Sequence, residues 1–242
     1  MTLVHGPVLG VWAHPDDEAY LSAGVMALAR DAGHRVVVAT ATWGEHGTDD
    51  PRGWPPRRLA ALRERELTAS LAAVGVEEHR HLGHDDGRCR PEDQAGVDAI
   101  AALLDEVQPA LVLTFGPDGM TGHSDHQAIS AWTTRAWHAT GRRAALWYAT
   151  LTPDYYRRWG GLSDRVGLWM GKERPCTPPE RLALSLRCEG GLLERKRQAL
   201  AAHASQTAGL RTLVGAAVYD SWWSEEFFVT ADADALRATP AA

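Results

Sequence analysis

Four short segments gather histidines and carboxylates: HPDDE at His14–Glu18, WGEHG at Trp43–Gly47, GHDDG at Gly83–Gly87 and GPDGMTGHSDH at Gly116–His126. In HPDDE, Pro15 biases His14 toward an extended backbone and suits the first turn of a following helix. His14 and Asp17, three residues apart, can then face the same side, while the intervening Asp16 points elsewhere. An imidazole paired with a carboxylate suits zinc or another divalent transition metal. In GHSDH, His123 and His126 share one face if the segment opens a helix. Asp125, between them, can accept an imidazole N–H and fix that ring's tautomer. One of these two histidines, added to His14 and Asp17, makes three ligands with a position left open, as catalytic zinc sites have.

Such residues need a scaffold that brings distant segments together. VLGVWA (8–13) and RVVVATAT (35–42) read as buried strands flanking a helix over 19–32, a βαβ unit. Helices over 57–74, 91–107 and 126–140 alternate with strands near 79–82, 110–115 and 144–151. The pattern predicts an α/β fold with a Rossmann-like doubly wound, mostly parallel sheet, whose ligands lie beyond the carboxyl ends of the strands. Each of the four segments follows a predicted strand. Residues 155–179 break the rhythm with Gly, Arg, Trp and Pro, and predict an insertion or lid over one end of the sheet. A helix over 191–203 and a strand near 227–230 close what reads as a single domain of 242 residues.

Composition excludes several classes. A net charge of -6 without a basic run argues against nucleic acid. No segment approaches the ~18 apolar residues of a membrane span, and no signal peptide is visible, so a cytoplasmic protein is expected. Three widely spaced cysteines form no CxxC pair and read as reduced thiols. GLWMGK (167–172) has the wrong spacing for a phosphate loop. No GxGxxG follows the first strand, and no GxSxG elbow is present. Taken singly, HPDDE and GHSDH are better explained by helix capping; their joint placement after predicted strands favours a metal.

AHPDDE, Gly44-Glu45, ALRERELTASLAAVGV, HLGHDDG, HSDH and KRQALAAHASQ together resemble the LmbE-like (PIG-L) N-acetylglucosaminyl deacetylases. The likeness runs from Leu9 to about Gln206 and is weakest over 155–187, a stretch expected to shape the substrate site. It implies zinc held by His14, Asp17 and His126, with Asp16 as general base. It also implies that a cationic His123 stabilises the oxyanion, that Asp125 orients a histidine and that Arg63 contacts substrate. Glu45 and Asp86 are expected to line the pocket, Gln206 to touch it from behind, and Trp43 to be the first candidate for stacking on a sugar. His203, on a mostly apolar helix, reads as a packing residue.

The resemblance implies removal of an acetyl group from a small amino-sugar conjugate. An amidase acting on a thiol conjugate or a specialised-metabolite amide would use the same centre. A non-catalytic sugar-binding module ranks below both, because Asp16 is present. A homo-oligomer remains open.

Overall fold

The structure, a computed structural model, describes residues 5–231. Seven strands among them form one sheet: β1 (Val8–Trp12), β2 (Val36–Thr40), β3 (Glu78–His81), β4 (Leu111–Phe115), β5 (Ala145–Ala149), β6 (Leu184–Arg187) and β7 (Glu225–Thr230). Their order is β3-β2-β1-β4-β5-β7-β6, parallel through β5 and antiparallel at β7 and β6. In β1, β2 and β4 every residue is buried. Continuous burial explains their unbroken apolar runs, since helices cover both faces of a parallel sheet.

The strand order turns back between β1 and β4, whose residues Val8 and Leu111 are paired in register. At such a switch point the loops leaving the two strands diverge and leave a crevice. HPDDE leaves β1 and GHSDH leaves β4, so sheet topology alone carries the two segments to one place.

Helices α1 (Asp17–Leu21) and α2 (Ala23–Asp31) replace the single helix expected over 19–32. The break at Ser22 has a cause more than 200 positions away in sequence. Gly24 and Val25 donate their amides to the two carboxylate oxygens of Glu226, at 2.7 and 2.9 Å. Glu226 is buried against Lys196, whose Nζ lies 2.5 Å away. A buried acid thus anchors the start of α2.

Helices α3 (Pro56–Ala73), α4 (Gln94–Val107) and α5 (Ser124–Ala139) fall close to their expected ranges. Asp93 caps α4 by accepting the Ala95 amide at 2.9 Å, which starts that helix three residues later than Pro91. α4 packs on α5, while α7 (Gly190–Ala202) packs on α2 and α3.

The region expected to be an insertion is only partly one. It contains helix α6 (Pro153–Arg165), a loop over 166–183 and β6, an edge strand of the main sheet. β6 was missed because an edge strand lacks the apolar continuity of a central one: its burial alternates along LSLR. Helices α8 (Ala204–Val214) and α9 (Ala216–Trp222) extend beyond the last helix that the spacing suggested. Among the described residues no helix is long and apolar enough to cross a membrane.

Candidate metal and catalytic centre

His14, two residues past the end of β1, and His126, in the first turn of α5, converge. Nδ1 of His14 lies 3.2 Å from Nε2 of His126. Asp17 completes the triangle, with Oδ1 3.4 Å from His126 Nε2 and Oδ2 3.7 Å from His14 Nδ1. All three side chains are buried.

The second nitrogen of each ring decides what that convergence means. His126 Nδ1 lies 3.0 Å from the Gly119 carbonyl and donates to it, so Nε2 presents a lone pair. His14 Nε2 lies 3.3 Å from Asp125 and 3.2 Å from Asp86, and donates to these carboxylates. A neutral His14 then presents its own lone pair at Nδ1. Two lone pairs and a carboxylate facing one another at this range require a cation between them, a proton or a metal. Burial opposes a charge on His14, yet the hydrogen bonds of Asp125 and Asp86 and the charge of Asp17 push it up to about 10. The pocket is therefore built to hold positive charge, and its borderline nitrogen and hard oxygen donors fit a divalent transition metal. His14, His123 and His126 form one group able to hold a metal ion, and His14, Asp86 and Asp125 another on the opposite edge of the His14 ring.

Asp17 is fixed by the backbone it follows: its Oδ2 accepts the amides of Ala13 at 3.2 Å and His14 at 2.8 Å. Asp16 does not point away from the site as the spacing suggested. Its φ of 121° lies in a region that non-glycine residues rarely enter, and this turn brings it into the same cavity. Glu18 accepts the Asp16 amide at 2.9 Å and so holds the turn. Burial raises Asp16 above the ordinary carboxylate range, while the nearby Arg63 opposes the rise.

Asp125 is fully buried and orients His14, where the sequence left open which ring it would hold. The Gly87 amide at 2.7 Å and the Cys89 amide at 3.2 Å fix its carboxylate. His123 caps α5, its Nδ1 accepting the Asp125 amide at 3.1 Å. A nitrogen that accepts an amide proton carries none of its own. His123 is therefore neutral, with its N–H on Nε2, which corrects the expectation of a cation. Burial and the nearby His14 lower its proton affinity further.

Arg63 lines the cavity, but its terminal nitrogens are engaged by protein. Nη1 donates to Gly44 at 2.8 Å, and Nη2 to Pro15 at 2.5 Å beside Asp16 at 3.4 Å. Asp86 lines the cavity and touches His14 directly, a closer role than pocket lining. Glu45 stands behind it, accepting the Asp86 amide at 2.9 Å. Gln206 reaches the cavity and donates to the Gly47 carbonyl at 3.1 Å.

Trp43 and Glu45 depart from expectation, because both line a neighbouring cavity. Trp43 stacks on His81, with centroids 4.1 Å apart and planes 11° from parallel, so its face is already covered. Glu18 carried no expected role, and His203 only a packing one. Both are buried, and His203 Nε2 donates to Glu18 at 2.7 Å, where Ser70 also donates. The signal was an acid inside HPDDE with no partner of its own in sequence.

Residues 9–137 match the family described as PIG-L: GlcNAc-PI de-N-acetylase. The chain belongs to the PIG-L family. The 1D-myo-inositol 2-acetamido-2-deoxy-alpha-D-glucopyranoside deacetylase of Mycolicibacterium gilvum is 34% identical over 188 residues, covering 67% of this chain and 66% of its own length. The Acidothermus cellulolyticus protein of the same name is 31% identical over 233 residues, covering 83% and 80%. Among solved structures, the N,N'-diacetylchitobiose deacetylase from Pyrococcus horikoshii superposes with a TM-score of 0.65 at 21% identity, covering 97% of this chain and 86% of its own. This last likeness concerns the fold. Residues 9–137 include every segment of the centre except Gln206 and His203.

Proposed function

We propose that this PIG-L family member is a hydrolase that removes the acetyl group from an N-acetylglucosamine-type conjugate. The relatives bearing deacetylase names support the reading. The observation that carries it is the meeting of His14 Nδ1, His126 Nε2 and Asp17 with Asp16 in the same cavity.

His14, Asp17 and His126 would hold one divalent cation, zinc by the donor set, with iron or another divalent metal as the alternative. Such an ion, when bound, polarises an amide carbonyl and acidifies a water. Asp16 takes the proton from the water that attacks the acetamide carbon. It then returns that proton to the amine nitrogen as the C–N bond breaks, leaving acetate and a free amino sugar. Its raised proton affinity suits a group that must both accept and give. Arg63 keeps the carboxylate in place. His123, neutral and protonated at Nε2, donates a hydrogen bond to the carbonyl oxygen as charge grows there. Asp125 and Asp86 hold the His14 ring so that Nδ1 faces inward.

Buried Cys89 and Cys188 and exposed Cys176 form no disulfide, which supports a reducing, cytoplasmic setting. The test is acetate release from N-acetylglucosamine glycosides by zinc-loaded protein. Asp16→Asn is expected to lose 100-fold or more in kcat, on the order of general-base effects. Undiminished release by that variant would refute the role of Asp16, and no release by the wild type would refute the reaction.

A further inference from the structure

The cavity over the centre measures about 450 Å³ and has two unlike sides. Its floor carries His14, Asp16, Asp17, Asp86, His123 and His126. Its roof and far wall are apolar: Leu151, Tyr155, Leu168, Trp169, Met170 and Leu210. Met170 is 68% exposed at the rim, although methionine ordinarily packs inside.

This wall is built and fixed in place. Met170 donates its amide to the Thr121 carbonyl at 2.7 Å, and Gly171 to the same oxygen at 3.2 Å. The segment 166–171 is thereby joined to the loop that carries His123 and His126. Gly122, at φ +84°, comes so close to Gly171 that a Cβ there would stand 2.3 Å from the Gly171 amide nitrogen. Behind the wall, Trp169 packs against Tyr156 and under the Arg174 guanidinium, at 5.0 Å.

Charge points the same way. Arg63 is the one lysine or arginine among the described lining residues, and its terminal nitrogens are held by Gly44, Pro15 and Asp16. Away from the metal centre itself, no lysine or arginine of the described lining is free to meet a carboxylate or phosphate. Beyond the floor the lining also holds Tyr20, Thr121 and Gln206, but Tyr20 is bonded to Tyr219 and Gln206 to Gly47, so a polyol would find few partners for its hydroxyls and would lose hydration without recompense.

We infer that the substrate is a neutral amino sugar whose glycosidic substituent is an apolar group, seated against Leu168, Trp169 and Met170. This rests on the deacetylase reading, which sets the acetamide on the polar floor and leaves the substituent for the apolar wall. An alkyl chain and an aromatic ring share the required chemistry.

The test compares methyl, octyl, phenyl and myo-inositol glycosides of N-acetylglucosamine, and its malate conjugate, on zinc-loaded protein. The octyl or phenyl glycoside is expected to exceed the methyl glycoside by roughly tenfold or more in kcat/KM, mainly through KM, as burial of a small apolar group allows; which of the two leads separates chain from ring. In Met170→Gln and Leu168→Ser proteins, the ratio of apolar to methyl glycoside is expected to fall toward one. Equal constants across the series, a preference for the inositol or malate conjugate, or a preference for N-octanoyl over N-acetyl would overturn the inference. Binding, read from tryptophan fluorescence with the same glycosides, separates the two claims. Tighter binding of the apolar glycoside without acetate release would sink the deacetylase reading and leave the apolar subsite standing. Acetate release without apolar preference would sink the subsite alone.

Discussion

Glu18 and His203, 185 positions apart, meet in the core: Nε2 of His203 donates to Oε1 of Glu18 at 2.7 Å, and both residues are buried. The other oxygen, Oε2, accepts the Asp16 amide, so one carboxylate ties the C-terminal helices to the turn that aims the proposed base. Burial alone would raise Glu18, but the charge of His203 and its hydrogen bond hold it below the ordinary glutamate range. Removing one member of a buried pair typically costs about 3–5 kcal/mol. Glu18→Gln is therefore expected to lower Tm by roughly 6–20 °C at the 2–4 °C per kcal/mol typical of this chain length. A double-mutant cycle with His203→Gln should give a coupling above ~1 kcal/mol. Additive losses would show that the pair does not act as a unit.

The positive φ of Asp16 makes a second expectation. Backbone held in this region costs about 1–3 kcal/mol for a residue with a Cβ, and little for glycine. Asp16→Gly should be more stable to urea than Asp16→Ala by about 1 kcal/mol, while both lose activity. Equal stability of the two variants would mean that the turn is not strained.

Acid should destabilise the fold through a histidine remote from the centre. His79, beside Thr40 and Trp43, is pushed down from 6.5 to about 4 by burial and by the neighbouring His81. Between these values the unfolded chain binds a proton that the folded chain refuses, so stability rises with pH across that window and levels off above about 6.5. The gap sets an upper limit of about 3 kcal/mol, less where water reaches the ring. Urea unfolding at pH 5 and pH 7 should show a difference that shrinks in His79→Asn; an unchanged difference would assign the acid sensitivity elsewhere.

Lys196 and Glu226 form another deeply buried ion pair, at 2.5 Å. Because Glu226 also accepts two amides from α2, removing the lysine leaves a charge stranded under that helix. Lys196→Ala is expected to cost about 3–5 kcal/mol in denaturant unfolding, and Lys196→Met less, because it keeps the stem packed. A loss below ~1 kcal/mol in Lys196→Ala would contradict this.

Much of the fold could be read from hydrophobic runs, because β1, β2 and β4 are buried on both faces and their sequences say so. His14 and Asp17 lie just beyond such a strand; the spacing left His123 and His126 open as partners, and the family resemblance alone singled out His126. What escaped depended on long-range pairing. The break at Ser22 comes from Glu226, more than 200 positions away, and the aim of Asp16 comes from a backbone angle that residue type does not encode. The neutrality of His123 follows from an amide at Nδ1, visible only once α5 is known to begin at Ser124. Trp43 lines a neighbouring cavity rather than the centre, and His81, on β3, covers one of its faces.

The account stands on His14, Asp17 and His126 sharing one cation, and the most direct measurement is metal content after zinc loading and exhaustive dialysis. Wild-type protein should retain about one zinc per chain, and folded His14→Ala and His126→Ala proteins should retain almost none. Retention of one zinc by either variant, or none by the wild type, would contradict the shared site.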